Sequence, residues 1–486
     1  MIYGMLQRLL LGTTFVLSVA LQVGAQTFYR HWTPLPGIYN PSAGLGNGFR
    51  VSFVSVGVAN SNVVWGIGGE LPPTTAPPSS YVFNKWVRST DGGTTWTTGN
   101  LQISTGYTVG QLVAIDAQTA FMLTYNGIGG GGEVRRTTDG GATWVNLNGP
   151  NQMNFTLAGS WPDAMTFFDA NNGVVFGDPQ PSVTGAFQVY TTADGGSTWT
   201  RVPAANLPAP IGADEYANIG SIAKIGSTVW VGGTNQGGGN ARVFKSTNMG
   251  RTWTVGNTPF PDVLKIAFST PTHGLIASAP DLASTTNGGT SFTTVAYSGP
   301  FYAQYDLASV PGRPGLYVAT GYRDPLTTAN DYGSVITSSS GFFWRQIDST
   351  AVRYDLDIVS DNLGYAAGNN PNSAVGSPPG VHRAMWKNTQ TFWFICDFLP
   401  SRVGSAAARR EVYPNPSSNG QFTVDLPRGS QALNVFDALG RQVLARQLAG
   451  SAAGMIQVDL SRQPAGIYTL QISSETGVSH QKIQIE

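Results

Sequence analysis

From Val51 onward the chain repeats one order of hydrophobic and polar segments. An apolar, β-rich run is followed by a turn, a second short apolar run often holding an aromatic and ending in Gly or Ala, a variable loop, and a third run that enters a Ser/Thr/Asp/Gly turn closed by an aromatic. First runs are Val51 to Val56, Leu112 to Ile115, Met165 to Phe168, Ile222 to Ile225, Leu264 to Phe268, Tyr305 to Val310 and Tyr354 to Val359. Second runs are VVWG from Val63, AFML from Ala120, VVFG from Val174, VWVG from Val229, GLIA from Gly274, GLYV from Gly315 and GYAAG from Gly364. The repeat length is about fifty residues, and such a period predicts a closed array of small sheets. Four strands per unit and seven units predict an all-β, seven-bladed β-propeller.

The closing turns align on their last aromatic. They run from Ser89 to Trp96 (STDGGTTW), Thr137 to Trp144, Thr192 to Trp199, Ser246 to Trp253, Thr285 to Phe292 and Thr337 to Trp344, and a worn seventh ends at Trp393. Asp91, Asp139, Asp194, Asn248, Asn287 and, in the sixth copy, Ser339 stand two residues before a Gly. There a short side chain can bond the turn's own N–H groups while Gly takes a positive φ. Trp96, Trp144, Trp199, Trp253, Phe292 and Trp344 then supply apolar area to lock each turn against its blade. The pattern S/T-x-D-x-G-x-T-W resembles the Asp-box, or BNR repeat, of sialidases, sortilin-type receptors, xyloglucan hydrolases and photosystem assembly-factor propellers. That resemblance implies architectural boxes lying away from the ligand.

Strand parity divides the loops between two faces. The boxes follow strand three, whereas the long inserts Leu71 to Ser80, Pro179 to Ala186, Tyr322 to Tyr332 and Asn369 to Arg383 follow strand two. The inserts therefore share the opposite face with the blade-to-blade connections, and variable loops over a rigid scaffold are where function is expected. Candidate ligand-binding residues on that face are Trp161, Asp163, Asp178, Asp214, Glu215, Tyr216, Tyr302, Tyr305, Tyr322, Arg323, Asp324, Asp331, Tyr332, His382 and Arg383. Aromatic rings beside carboxylates and Arg suit sugars or peptides, since the rings stack and the polar groups orient hydroxyls or charges. Taken singly, each also reads as a solvated loop residue.

Composition narrows the partners. Charged residues make up 11% of the chain, formal net charge is +0, and no Lys/Arg run follows the N-terminal segment, so a nucleic-acid footprint is missing. Residues 1–25 read as a secretory signal, with Arg8, an apolar run from Leu9 to Val23, and Gly24-Ala25 before Gln26; a membrane anchor is the alternative. The mature chain is expected to carry no transmembrane segment. Its single Cys396 can form no intramolecular disulfide.

Motifs for several enzyme classes are missing. Four scattered His residues form no metal motif, no Ser sits in a G-x-S-x-G elbow, and Gly127 to Gly132 leads into a strand where a nucleotide loop would open a helix, so neither metal nor cofactor is expected. Tyr29-Arg30-His31-Trp32-Thr33-Pro34 keeps only Tyr-Arg of the sialidase motif, and only Glu215 has an adjacent Tyr. A glycoside hydrolase using two of Asp163, Asp178, Asp214 and Asp324 remains an alternative, as does a protein-docking scaffold.

After Pro400 the composition changes. Residues 401–410 read as a linker, and 411–486 hold alternating strands at Gln421 to Leu426, Ala432 to Phe436, Arg441 to Gln447, Met455 to Leu460, Ile467 to Ile472 and Gln481 to Ile485, a small Ig-like β-sandwich. Propeller and linker together fill 26–410. The tail's VYPNP run with Pro414, Asn415 and Pro416, its VFDALGR run with Asp437 and Gly440, its PAGIY run with Gly466 and Tyr468, and Lys482 closely resemble the C-terminal sorting domain of the Por, or type IX, secretion system of Bacteroidota. That resemblance implies partnership with the type IX machinery, passage through the periplasm, and release or attachment at the outer surface.

Overall fold

The computed structural model describes residues 32–35, 50–71, 82–127, 131–149, 152–156, 159–179, 185–212, 214–322, 332–349, 351–369, 385–388, 412–437, 441–474 and 477–486. Much of the insert residues, the signal segment, the linker and the Trp393 box fall outside this set. The chain divides into two compact units, Met1–Asp397 and Phe398–Glu486.

The first unit holds seven antiparallel four-stranded sheets. Blade one is Arg50–Val58, Val64–Leu71, Val82–Ser89 and Thr97–Asn100; blade two runs from Thr108–Ala114 to Val145–Asn146, and blade three from Pro162–Phe167 to Thr200–Arg201. Blade four begins at Glu215–Ile225, blade five at Lys265–Phe268, blade six at Asp306–Ser309 and blade seven at Val352–Ser360. The only helical turn among the described residues is Ala204–Asn206. The fold is a seven-bladed β-propeller.

Blade seven differs from the sequence expectation. Its outer strand is Thr33–Pro34, which pairs antiparallel with Met385–Asn388, so the N-terminal segment supplies what a seventh box would have introduced. Strands from both ends of the unit thus close the ring within blade seven.

Each box is a hydrogen-bonded staple. In the first, Ser89 Oγ donates to Asp91 Oδ1 at 2.8 Å, Thr95 N and Oγ1 donate to the same carboxylate at 2.8 and 2.6 Å, and Gly93 N donates to Ser89 Oγ at 2.8 Å. The same geometry recurs at Asp139, Asp194, Asn248, Asn287 and Ser339. The bonds from Thr95 hold Asp91 down at about 2, and those from Thr143 do the same to Asp139.

The box aromatics pack further than their own blade. Trp144 lies in one cluster with Trp65 and Ile67 of blade one, Trp199 with Phe121 of blade two, Trp253 with Phe176 of blade three, Phe292 with Trp230 of blade four, and Trp344 with Leu282 of blade five. Each box thus pins its blade to the preceding one, which is why the aromatic closes the motif. Between blades six and seven, Trp386 and the N-terminal Trp32 fill this gap, with the fully buried Arg353 guanidinium 4.8 and 5.3 Å from their rings. Arg353 also pairs with Asp348 of blade six and donates to Ser334 Oγ at 3.1 Å.

The innermost strand of every blade is a sheet edge whose N–H groups need acceptors. Side chains from the neighbouring blade supply them: Ser55 Oγ accepts Leu112 N at 3.1 Å, Gln111 Oε1 accepts Met165 N at 2.9 Å, and Asp306 Oδ2 accepts Leu356 N at 2.8 Å. All seven inner strands line a central channel of about 410 Å³.

In the second unit, Gln421–Phe436 and Gln442–Asp459 are each one long strand where the sequence suggested two. The first half of Gln421–Phe436 pairs with Val412–Tyr413 and with 454–459; its second half pairs with 442–447 and Gly466–Ser474, which pairs in turn with Gly477–Ile485. Register shifts near Ser430 let one strand serve both layers of the β-sandwich, around a core of Phe422, Leu433, Val435, Leu470 and Ile483. The tail motifs are staples within it: Asn415 Nδ2 donates to Lys482 O at 2.9 Å, Asp437 accepts Arg441 N at 2.9 Å, and Tyr468 OH donates to Pro464 O at 2.6 Å. Asn415 stands between Pro414 and Pro416, and Gly466 opens the strand that carries Tyr468. Gly440 lies outside the described residues.

Candidate functional site

A pocket of about 620 Å³ opens among blades three to six at the strand-two end of the propeller, the end opposite the boxes. Trp161, Asp163, Asp178, Tyr216 and Tyr305 line it, together with Asn218, Gln236, Gln304 and Lys265.

Two β-bulges build its floor. In blade three the register shifts between Pro162 and Ala164, and again between Gly177 and Pro179, so Asp163 and Asp178 are each the extra residue of a bulge. An unpaired bulge residue is free of the pleat and can be re-aimed. Gly177 permits the arrangement: Asp178 N donates to Trp161 O at 3.0 Å, and a Cβ on Gly177 would fall 2.3 Å from that same oxygen.

Asp163 is 1% exposed and Asp178 3%. Apart from Asp178, which meets it through both its carboxyl and its backbone N–H, no described residue donates to either oxygen of Asp163. Two carboxyls meet favourably only across a shared proton. Burial above all, then the charge of Asp178, pushes Asp163 well above the usual carboxylate range. Burial raises Asp178 to about 7, against its bond from Ala217 N at 3.1 Å. Near neutrality the dyad therefore keeps at least one proton, and its two carboxyls together carry no more than one negative charge.

Aromatic surface surrounds the dyad. Trp161 lies 6.0 Å from Tyr125, with its Nε1–H buried and without an acceptor among the described residues. Tyr305 meets Tyr322 and Tyr354 edge-on at 5.6 and 4.9 Å; burial, followed by these two neighbours, lifts its hydroxyl to about 12. Gln304 Oε1 accepts Tyr322 N at 3.0 Å, which leaves its amide N–H₂ to donate. Asn218 Nδ2 bridges Gly233 O and Val263 O at 3.2 and 3.0 Å.

Other candidates lie elsewhere. Glu215 is buried and taken by Arg242, Nε to Oε1 and Nη2 to Oε2 both at 2.6 Å, so it fastens a blade and is closed to a ligand. Tyr302 belongs to the core between blades five and six, where its ring is covered. Asp214 is exposed and outside the pocket lining, and Tyr322 touches the pocket only through Tyr305 and Gln304. Tyr332 pairs with Tyr322 in its sheet, while Arg323, Asp324, Asp331, His382 and Arg383 lie outside the described residues. Sequence reasoning missed Asn218, Gln236, Gln304 and Lys265. Their position at strand-one entries or after strand two was a signal, but amides and a lysine carry no motif.

Among the described residues no group of three or more His, Cys, Asp or Glu could hold a metal ion, and no helix is long and apolar enough to cross a membrane.

Residues 411–486 match the family model described as the secretion system C-terminal sorting domain. No curated protein matches the chain. Among solved structures, YCF48 bound to D1 peptide is 14% identical, covering 73% of this chain and 100% of its own at a TM-score of 0.44. YCF48 from Cyanidioschyzon merolae is 13% identical over 74% of this chain and 98% of its own, at 0.43. The Niastella koreensis GH74 enzyme is 13% identical over 89% of this chain and 66% of its own, also at 0.43. The propeller assignment rests on the seven sheets themselves. Ahead of its tail the chain folds as a seven-bladed β-propeller, and residues 411–486 match a Por-type secretion system sorting domain, which indicates type IX export.

Proposed function

We propose that the propeller is an exported binding module that holds an extracellular ligand, a glycan or a protein, in the pocket of Trp161, Asp163, Asp178, Tyr216 and Tyr305 without turning it over. The observation that carries this reading is the convergence of these five side chains on one cavity of about 620 Å³, with a buried carboxyl that among the described residues meets no donor other than Asp178. Cavities of this size with a few convergent polar groups are the usual form of small-ligand sites.

A glycoside hydrolase built on the same dyad is disfavoured. Such enzymes place their two carboxyls at least about 5 Å apart to flank the scissile bond, whereas Asp163 and Asp178 are facing bulge residues whose buried carboxyls act directly on each other. On this reading residues 1–25 are a signal removed on export, 26–400 form the propeller, 401–410 a linker, and the mature protein of a Bacteroidota cell is released or held at the outer surface. Screening the purified protein on chromogenic glycosides and polysaccharides tests the non-catalytic claim. No turnover is expected, and turnover abolished by Asp178→Asn would overturn it.

A further inference from the structure

Within that reading, we infer that the occupant is a neutral sugar, a pyranose-bearing di- or oligosaccharide, recognised by the Asp163–Asp178 pair and the Trp161 indole together. The charges in the pocket set the first constraint. Among the described residues the charged side chains that line the cavity are the dyad, which keeps at least one proton, and Lys265, whose charge also acts on Asp355. A charged ligand would have to shed its water in a half-enclosed, partly apolar space, where an uncompensated charge is costly.

Hydrogen-bond chemistry supplies the second constraint. Among the described residues, Asp163 keeps acceptor capacity that only Asp178 meets, and the Trp161 Nε1–H has no acceptor. An ammonium group offers donors only, and a carboxylate acceptors only. A hydroxyl offers both; Gln304 adds amide N–H donors, and Gln236 an amide that works in either sense with further hydroxyls.

The third constraint is shape. Trp161, Tyr216 and Tyr305 wall the cavity with ring surface, onto which the C–H face of a pyranose stacks, and the hydroxyl edge then turns to the amides and the dyad. A fully apolar ligand would leave these polar groups buried and unpaired, so it is rejected.

The test uses the full-length protein on an array of neutral, anionic and amino glycans, followed by calorimetry with cellobiose, maltose, lactose, N-acetylneuraminic acid and glucosamine. Retention of neutral glycans is expected. Trp161→Phe, which keeps a ring and removes the N–H, should weaken binding about five- to tenfold, Gln304→Ala should act in the same direction, and Phe342→Ala in the sixth box should leave it unchanged. Circular dichroism confirms that each variant is folded. Binding confined to sialylated or amino sugars, or no glycan at all beside a protein whose capture is lost in Trp161→Phe, overturns the inference and leaves the binding-module reading standing. Glycan binding indifferent to both pocket variants overturns the two together.

Discussion

Asp355 of blade seven accepts the Ser55 hydroxyl of blade one at 2.7 Å and the adjacent Val56 N–H at 2.8 Å, so one carboxyl bridges the junction where the two ends of the ring meet. Asp357 repeats the contact one pleat along, taking Val58 N at 2.8 Å. Between blades one and two and between two and three the same task falls to neutral Ser55 and Gln111. Replacing Asp355 with Ala strands two donors, and urea unfolding should show a loss of roughly 1–3 kcal/mol; Asn, which keeps an acceptor oxygen, should lose less.

Acidity of these groups sets a pH profile. Burial, with the charge of Asp306 behind it, raises Asp355 to about 7; burial raises Asp357 to about 6 and Asp178 to about 7, from an ordinary 3.8. The folded chain thus keeps protons that the unfolded chain has released. Their stabilisation is complete below pH 3.8 and is lost as pH rises towards 7. Asp91 and Asp139, held at about 2, act in reverse: their contribution is present above 3.8 and disappears towards pH 2. Thermal melts in buffers of matched ionic strength should therefore peak near about pH 4–5 and decline towards pH 8. A Tm that climbs from pH 5 to 8 would contradict this.

The blade-to-blade aromatics dominate packing. Trp344 is fully buried between blades five and six, and Trp32 is 3% exposed between six and seven. Either residue replaced by Ala should cost roughly 3–5 kcal/mol in denaturant unfolding, while Asp163→Asn costs far less. For Trp32 the loss also uncovers one face of the buried Arg353.

Blade number and the division of faces were legible because each box fixes a turn through its own side chains, and that chemistry is local in sequence. The N-terminal strand was not, since Thr33–Pro34 acquires meaning only from Met385–Asn388, far away in the chain. Glu215 read as a surface acid because nothing near it in sequence announces Arg242. The dyad sits between these cases. Asp163 and Asp178 were visible as acids on the right face, whereas the paired bulges that bring them into contact are a property of strand register.

Gly177 connects that register to binding. A Cβ there would lie 2.3 Å from Trp161 O and 2.5 Å from Phe155 Cε1, so Gly177→Ala must push the Trp161 segment off the bulge. The expected result is a stability loss of roughly 1–3 kcal/mol together with weakened ligand binding, read by unfolding and calorimetry on the same preparation.

Ligand recognition centres on one cavity, and paired variants on the two faces of the propeller test it directly. Retention of ligand, from a glycan array and from an extracellular protein extract, is compared for the unaltered protein, Trp161→Ala with Tyr305→Ala, and Phe342→Ala. The pocket variant should lose the ligand and the box-face variant should keep it. Equal retention by both, with folding intact, would contradict the central claim.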